Sequence, residues 1–270
     1  MPEVFAAVLS IQVTQQDAVR TITLNRPSAL NSFDTEMLAG FLDALEEAAR
    51  DASVRAVIIT GAGRGFCAGQ DLADPLVAPR ADGTPVDLGR MLEHFYMPLV
   101  QRIRSMPVPV IMAVNGVAAG AGANIALAGD IVLAAQSASF IQAFAKIGLL
   151  PDSGGTWLLP RLVGRARALG LALLGDKLPA AQAEAIGLIW RCVPDDVLMH
   201  EAESVAVRLA AMPVHALATT RRAFDDAQHL SFEEALVREA SHQHALGSAA
   251  DFREGVASFK EKRAPRFTDR

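Results

Sequence analysis

Two segments rich in small residues, each placed directly after an apolar stretch, constrain this chain more than any other feature. Residues 61–71 read Gly-Ala-Gly-Arg-Gly-Phe-Cys-Ala-Gly-Gln-Asp, and residues 115–123 read Asn-Gly-Val-Ala-Ala-Gly-Ala-Gly-Ala. Glycine permits backbone angles that other residues avoid, and missing side chains let a ligand approach the main chain. Where such a turn opens a helix, its unpaired N–H groups point outward at positive potential. Two such turns can direct two donors at one oxygen, which is the arrangement of an oxyanion hole.

A single acid, Asp152, follows in a segment that is otherwise apolar. Residues 147–151 read Ile-Gly-Leu-Leu-Pro, and Ser-Gly-Gly follows the acid. Apolar surroundings would raise the pKa of this carboxyl, which suits a group that takes up and returns a proton. An aspartate ahead of two glycines is equally typical of a helix N-cap, so the spacing leaves both interpretations open. With the two turns, the acid indicates an enzyme that stabilises an enolate-like oxygen and moves a proton.

The composition indicates a globular chain and gives no support to a nucleic-acid partner. Hydrophobic residues make up 51% of the 270 residues, charged residues make up 20%, and the formal net charge is −5. A chain of this length can bury a sizeable core, and an acidic balance is opposite to that of a nucleic-acid binder. We therefore expect a small or acyl-carrying ligand.

Several features favour a cytoplasmic location. Cys67 and Cys192 are the only cysteines, which fits a reducing compartment without disulfides. Residues 1–7 lack the basic and apolar regions of a signal peptide. Residues 110–129 carry no charged side chain, but their asparagines and glycines favour a buried strand–turn–helix over a membrane span. We expect no membrane association.

Hydrophobic periodicity predicts an α/β body followed by a helical tail. Alternating residues around 9–13 and 22–24 predict a β-hairpin, and Ser32 or Asp34 can cap the helix that follows. The other predicted elements are short strands at 56–60, 110–114 and 131–134, a mobile flap at 74–89, a helix at about 89–105, a capping box at 231–234 and a last helix at about 248–263. We accordingly divide the chain into a core, residues 1–194, and a helical region, residues 195–270.

Three alternative motifs are weaker. Gly63-x-Gly65-x-x-Ala68 matches a loose dinucleotide fingerprint, but prolines interrupt the region where its helix should continue. Cys67 has no histidine in its segment, so a small packed thiol is the better interpretation. The six histidines, with His242 and His244 the closest pair, show no metal-ligand spacing with a third ligand. We expect neither a metal nor a redox cofactor.

At these residues the chain resembles the crotonase family, the enoyl-CoA hydratases and isomerases. The matching segments are 24–27 with Asn31, 65–72, 113–130, 148–156 and 254–263. They cover nearly the whole chain in the family's order. The resemblance implies a spiral of ββα units, a helical C-terminal trimerisation region, a trimer or dimer of trimers, and an acyl-CoA ligand whose coenzyme A enters as part of the substrate. A complex with an enoyl-CoA hydratase is also conceivable for such a protein.

The resemblance also implies roles for individual residues. The oxyanion hole falls on the backbone N–H groups of Gln70 and Ala121, and the catalytic acid and base falls on Asp152. Hydratases of this family use two glutamates, at positions that are Asn124 and Phe144 here. Neither side chain is a carboxylate, so ordinary enoyl-CoA hydration is doubtful, whereas one carboxylate suffices for isomerisation. The further substrate-binding candidates are Arg26, Ala68, Asp71, Gly120, Asn124, Phe144 and Lys260.

Longer shared stretches, at 61–72, 115–123 and 154–175, resemble the branch of the family that isomerises ring-1,2-epoxyphenylacetyl-CoA to its oxepin form in phenylacetate breakdown. That reaction is the expected activity. Two alternatives stay open: a Δ3,Δ2-enoyl-CoA or dienoyl-CoA isomerase of fatty-acid breakdown, and a non-catalytic CoA-binding scaffold. Lys260 would reach CoA phosphates from a neighbouring subunit, or else simply face solvent.

Overall fold

A computed structural model describes residues 9–78 and 82–270 of the chain. The expectation of no signal peptide concerned residues 1–7, which lie outside the described residues. Residues 79–81 of the predicted flap lie outside them as well. The other predicted elements fall within the described part of the chain.

The strands form two described sheets. They are β1 (Ile11–Gln16), β2 (Val19–Leu24), β3 (Ala56–Gly61), β4 (Gly65–Cys67), β5 (Val110–Val114), β6 (Val117–Ala119), β7 (Ile131–Ala135), β8 (Ser139–Ile141), β9 (Lys177–Pro179) and β10 (Arg191–Val193). The larger sheet has the order β1-β2-β3-β5-β7-β10, and the smaller has the order β4-β6-β8-β9. Only the pairs β1–β2 and β8–β9 are antiparallel among these.

Three successive chain segments repeat one pattern. A strand of the larger sheet (β3, β5 or β7) runs into a tight turn and then into a three-residue strand of the smaller sheet (β4, β6 or β8). Helices follow these strand pairs before the chain returns to the larger sheet. The predicted α/β spiral of ββα units is thereby confirmed. All three turns lie at the same edge of the larger sheet, because its central strands are parallel.

The helices cover the sheets and continue into the tail. They are α1 (Thr35–Arg50), α2 (Leu88–Met91), α3 (Met97–Ser105), α4 (Ala121–Leu127), α5 (Gly155–Leu174), α6 (Ala180–Ala185), α7 (Leu198–Ala210), α8 (Val214–Ala227), α9 (Phe232–Gly247) and α10 (Ala250–Glu261). A π-helical turn, Leu92–Tyr96, joins α2 to α3. The predicted hairpin is confirmed as β1–β2. Asp34 rather than Ser32 caps α1, by accepting from the N–H of Met37, and the capping box at Ser231 is present.

The tail divides into a part that packs on the core and a part that leaves apolar surface exposed. Helix α7 lies beyond the predicted boundary at 194, yet it packs on β3 and β5 of the larger sheet. In α9, by contrast, no residue is buried. The division at 194/195 therefore stays a prediction. No helix in the described ranges is long and apolar enough to cross a bilayer.

Candidate active site

The first small-residue turn holds the Gln70 peptide by a parallel β-bridge to Phe33. The N–H of Phe33 donates to the carbonyl of Gly69 at 2.7 Å, and the N–H of Asp71 donates to the carbonyl of Phe33 at 2.8 Å. Because Phe33 bonds to the residues on either side of Gln70, the N–H of Gln70 itself points away from the bridge. Within residues 9–78 and 82–270 this N–H has no acceptor. It is available to a ligand.

The second turn leaves the N–H of Ala121 without an acceptor among the described residues, because Ala121 begins a helix. Ala121 is the first residue of α4, and its N-cap, Gly120, has φ 52° and ψ −126° and offers no side-chain cap. The first N–H of this helix to find a backbone acceptor is that of Asn124, which donates to the Gly120 carbonyl at 3.1 Å. Ala121 is only 3% exposed. In the described part of the chain its N–H has no acceptor, and it lies at the positive end of the helix.

Gly69 brings the two turns together. It has φ 94°, and a Cβ built on it would lie 2.8 Å from the Ala119 carbonyl oxygen and 3.6 Å from the Ala121 nitrogen. A side chain there would collide with the second turn, so only glycine permits this approach. The structure thus places Gln70 and Ala121 in adjacent turns, as an oxyanion hole requires. That their N–H groups bind a thioester oxygen remains a prediction.

Cys67 packs beneath this junction and takes no visible part in chemistry. Its sulfur accepts from the N–H of Gly69 at 3.4 Å, and a Cβ on Gly122 would lie 2.7 Å from that sulfur. Burial raises the pKa of the thiol to about 12. A thiol with such a pKa stays protonated at neutral pH and is a poor nucleophile. This agrees with its interpretation as a small packed side chain.

Asp152 does not cap the helix that follows it. The N-cap of α5 is Gly154, with φ 85° and no side-chain cap bond, so the N-cap interpretation of Asp152 is wrong. The backbone carbonyl of Asp152 accepts from the N–H of Gly155 at 2.7 Å. The carboxylate accepts from the Ser153 hydroxyl at 2.9 Å. Its side chain is thus left for a role other than capping.

The environment of Asp152 shifts its ionisation towards neutral pH. Burial raises the pKa of this carboxyl to about 6, and the Ser153 hydrogen bond lowers it only in part. The predicted rise in pKa is confirmed. A carboxyl with a pKa near the working pH exchanges a proton in both directions with little free-energy cost. Asp152 is therefore suited to remove a proton and return it.

Asn124 serves as a brace for Asp152 instead of as a base. It is fully buried. Its Nδ2 donates to the backbone carbonyl of Asp152 at 2.9 Å, and its Oδ1 accepts from Nε2 of Gln142 at 2.8 Å. This amide therefore ties α4, which carries the Ala121 N–H, to the segment that carries the acid. The result is a fixed relation between the two predicted catalytic elements.

Gly155 makes room for that brace, which yields a first prediction. A Cβ on Gly155 would lie 2.3 Å from Nδ2 of Asn124, so Gly155→Ala must displace the amide. We expect it to lower the free energy of unfolding by about 2 kcal/mol and turnover by about tenfold. Gly170→Ala in the same helix meets nothing within 4 Å and should stabilise by about 1 kcal/mol without changing turnover. If denaturant unfolding and rate assays gave the same stability and turnover for the two variants, Asn124 would not act as a brace for Asp152.

Phe144 supplies an apolar wall beside the second turn. It lies in a 3₁₀ turn, Ala143–Ile147, and is 5% exposed. Its ring tip lies 3.7 Å from the position of a Cβ on Gly120. The ring therefore lies against Gly120, the residue that precedes Ala121, and presents an apolar surface there.

Arg26 and Asp71 brace the first turn. The guanidinium of Arg26 bonds to Asp71 Oδ2 at 2.9 Å, to Asp34 Oδ2 at 3.0 Å and to the Ser32 carbonyl. The side-chain hydrogen bond from Arg26 holds the pKa of Asp71 below its usual value. Ala68 joins the same region through its N–H, which donates to the Leu30 carbonyl at 3.0 Å. The predicted substrate contacts of these residues remain untested beside this structural role.

Lys260 stands apart from the two turns in the described chain. It lies on α10, beside a cavity of about 360 Å³ lined by residues of that helix. A larger cavity, of about 830 Å³, lies between α5 and α8 around Trp157, and its lining contains none of Gln70, Ala121 and Asp152. Within residues 9–78 and 82–270 no cluster of three or more potential metal ligands is found.

Sequence reasoning missed two polar residues of the site. Tyr96 donates to Oε1 of Gln70, and Gln142 supports Asn124. Each contact joins residues at least 18 positions apart. Tyr96 could have been noticed in the sequence, because it is the only tyrosine of the chain and lies two residues before a proline. No pattern in the sequence singles out Gln142.

Known proteins of one family resemble this chain over nearly its whole length. Residues 14–270 match the family described as enoyl-CoA hydratase/isomerase. The chain is 52% identical over 253 residues to the 1,2-epoxyphenylacetyl-CoA isomerase of Escherichia coli (strain K12), covering 94% of this chain and 96% of that protein. It is 47% identical over 261 residues to a Rhodobacter capsulatus protein named "Probable enoyl-CoA hydratase", covering 97% and 98%. The crystal structure of enoyl-CoA hydratase from Bacillus anthracis matches with a TM-score of 0.88 at 31% identity, covering 97% and 100%.

Proposed function

The chain belongs to the enoyl-CoA hydratase/isomerase family, and from that membership we propose that it isomerises an acyl-CoA thioester with Asp152 as the acid and base. One observation carries the proposal. The carboxyl of Asp152 has a pKa of about 6, and Asn124 ties the backbone carbonyl of Asp152 to α4, whose first N–H, that of Ala121, has no acceptor among the described residues. These are the two requirements for removing a proton next to a thioester: a base, and donors for the oxygen that becomes negative.

The proposed reaction balances without a co-reactant. The thioester oxygen accepts hydrogen bonds from the N–H groups of Gln70 and Ala121. The Asp152 carboxylate removes a proton from the carbon next to the thioester carbonyl, and the electron pair passes to that oxygen as an enolate. The protonated Asp152 then returns the proton at another carbon of the conjugated system. Each backbone donor contributes roughly 3–4 kcal/mol to lowering the barrier.

The surroundings of Asp152 support isomerisation over hydration. Hydration needs a group that positions and deprotonates water. At the two positions where the family's hydratases carry glutamates, Asn124 is committed to the Asp152 carbonyl and to Gln142, and Phe144 is an apolar ring. A single partly buried carboxylate, with no second carboxylate at those two positions, can return the same proton to the substrate.

For the substrate we propose ring-1,2-epoxyphenylacetyl-CoA, with an oxepin-CoA as product. The carbon–carbon bond shared by the epoxide and the six-membered ring breaks as its electrons rearrange into the seven-membered oxepin. Asp152 moves one proton from the side-chain carbon next to the thioester to a ring carbon, so substrate and product contain the same atoms. The support is the 52% identity to the Escherichia coli protein named 1,2-epoxyphenylacetyl-CoA isomerase. Coenzyme A then enters as part of the substrate, and the chemistry requires neither a metal nor a separate cofactor. The proposed setting is phenylacetate breakdown in the cytoplasm, where the free thiols of Cys67 and Cys192 would persist.

The test compares three reactions on one preparation. Enzymatically generated ring-1,2-epoxyphenylacetyl-CoA is assayed for oxepin formation, crotonyl-CoA for hydration, and an aliphatic 3-enoyl-CoA for double-bond migration. The proposal expects rapid oxepin formation and negligible hydration. Faster migration in the aliphatic substrate would assign the protein to fatty-acid breakdown. Brisk hydration would overturn the proposed mechanism, and no turnover with intact CoA binding would favour a scaffold.

The tail supports assembly into a homotrimer or a dimer of trimers. Large apolar side chains on α9 and α10 are exposed in the single chain, including Phe232 at 73%, Val237 at 72% and Phe259 at 86%. Such faces typically mark contacts between subunits. In the assembly, Lys260 on the same helix would reach the CoA phosphates of a neighbouring subunit. The same proposal includes a complex in which an enoyl-CoA hydratase binds to the outer surface of this assembly.

The assembly can be tested by a substitution on α10. We expect Phe259→Asp to shift the mass measured by light scattering from a trimer or hexamer towards the monomer, because a buried charge at a subunit contact is unfavourable. Val13→Asp, at an exposed apolar position of β1 outside the tail, serves as the control and should leave the mass unchanged. A monomeric wild-type protein would contradict the proposed assembly.

A further inference from the structure

Tyr96 is the only tyrosine of the chain, and its hydroxyl is buried beside the first turn. Its O–H donates to Oε1 of Gln70 at 2.5 Å. Nε2 of Gln70 in turn donates to the backbone carbonyl of Asp71 at 3.1 Å. The side-chain amide of Gln70 thus connects the tyrosine hydroxyl to the backbone carbonyl of Asp71, in the turn that carries the proposed oxyanion donor.

The ring of Tyr96 is seated on the residue that pairs with this turn. It meets Phe33 edge-on, with ring centroids 6.0 Å apart at 81°. Phe33 is also the residue whose backbone bonds to Gly69 and Asp71. The backbone and the side chain of Gln70 are therefore held by two neighbouring aromatic residues.

A break in helical regularity delivers the tyrosine to this position. The π-helical turn Leu92–Tyr96 ends at Tyr96, and Pro98 follows at the start of α3. Proline has no N–H, so it cannot bond to the carbonyl of His94 four residues earlier, and the regular α pattern is disturbed. An extra residue in one turn rotates the side chains that follow, and such turns occur frequently at functional sites.

The phenol remains a hydrogen-bond donor at neutral pH. Burial raises the pKa of Tyr96, and the negative charges of Asp152 and Asp74 raise it further. The hydroxyl stands within the proposed site, where its O–H is committed to the Gln70 amide.

We propose that Tyr96 is a positioning residue for the oxyanion hole, which directs the Gln70 N–H towards the thioester oxygen by its hydrogen bond to the Gln70 side chain. The effect of Tyr96 on turnover rests on the proposed function, because only an isomerase with this oxyanion hole would use the Gln70 N–H. It assigns Tyr96 no contact with the substrate. The bond itself is a property of the free protein and can be measured there.

The kinetic test uses Tyr96→Phe, Gln70→Leu and the double variant. Tyr96→Phe keeps the ring on Phe33, and Gln70→Leu keeps the backbone N–H. We expect each to lower kcat about tenfold with KM within about twofold, and the double variant to lose no more than the worse single one. Thr60→Val, which removes a buried hydroxyl that donates to the Ala113 carbonyl in the sheet, should leave kcat unchanged. Unchanged kcat in Tyr96→Phe, or losses that multiply, would overturn the inference.

A second readout needs no substrate. With one tyrosine, protein labelled with 3-fluorotyrosine gives a single ¹⁹F resonance from position 96. Gln70→Leu should shift this resonance and Thr60→Val should not. If Gln70→Leu shifts the resonance but the wild type isomerises no thioester, the hydrogen bond between Tyr96 and Gln70 is supported and the proposed function is overturned. A resonance indifferent to Gln70→Leu overturns the inference itself.

Discussion

Asp152→Asn is expected to lower isomerase turnover by about 10³-fold, because it removes the only carboxylate that the proposed reaction uses. The substitution preserves the shape of the side chain, and the amide oxygen can still accept the Ser153 hydrogen bond. Binding of a CoA thioester should therefore persist, and the loss should fall on kcat. Asp195→Asn, at an exposed aspartate that accepts from the N–H of Ser137, is the matched control and should retain full turnover.

The same carboxyl predicts the pH dependence of the wild type. The base form removes the proton, and the pKa of Asp152 is about 6. We therefore expect kcat/KM to rise with pH through a midpoint near 6 and to level off above it. An aspartate with an ordinary pKa would give a flat profile over this range. Such a flat profile from pH 5 to pH 8 would show that another group accepts the proton.

Asp152→Asn should also stabilise the fold, and the sign follows from the direction of the shift. The pKa is raised in the folded state, so the folded protein binds more protons than the unfolded chain between about pH 4 and pH 6. Wild-type stability consequently falls as the pH rises through that window, and above it the buried charge costs about 3 kcal/mol. The variant should gain that amount at pH 7 and nothing at pH 3, as measured by urea denaturation. A variant less stable than the wild type at pH 7 would contradict this reading of the site.

Local patterns predict those parts of the fold that depend on local interactions. Alternation predicts the β1–β2 hairpin, and the spacing of Met37, Phe41 and Leu45 predicts the buried face of α1. The short strands of the smaller sheet could not be predicted in this way. Strands β4, β6 and β8 have three residues each, which is too few to show a period, and they lie within the small-residue turns.

The spiral repeat is likewise visible only in three dimensions. Its three ββ units share a path but no fixed spacing, since β3, β5 and β7 begin at Ala56, Val110 and Ile131. The sequence therefore shows no period, and the fold class came from the resemblance. The repeat nevertheless explains the site, because successive turns at one edge of the sheet bring residues 69 and 121 into contact.

The candidate site likewise contains some groups that the sequence predicts and others that only the structure reveals. Glycine-rich turns and an acid in an apolar run can be recognised from residue types, which is why the two turns and Asp152 were singled out. The assignment of the two donors to Gln70 and Ala121 came from the family resemblance. The supports of these groups are long-range contacts. Asn124 reaches Asp152 across 28 positions, and Tyr96 reaches Gln70 across 26. A residue type does not reveal such partners, so the amide role of Asn124 required the structure.

Ala121→Pro should remove one oxyanion donor with little effect on the helix that carries it. Ala121 is the first residue of α4, where proline is favoured and where its missing N–H breaks no helical bond. Gly120 before it has ψ −126°, which for glycine mirrors the extended angle required ahead of proline. We expect kcat to fall by about 10²- to 10³-fold, with the free energy of unfolding changed by no more than about 1 kcal/mol.

Ala250→Pro separates the loss of the donor from the effect of proline itself. Ala250 is the first residue of α10, and Ala249 before it has φ −74° and ψ 159°, so the backbone accepts proline equally well there. The N–H of Ala250 lies outside the proposed site, and turnover of this variant should match that of the wild type. If Ala121→Pro also kept its turnover while remaining folded, the thioester oxygen would not be held by the N–H of Ala121. The negative charge would then need a donor elsewhere, and the convergence of the two turns at Gly69 would be a matter of packing alone.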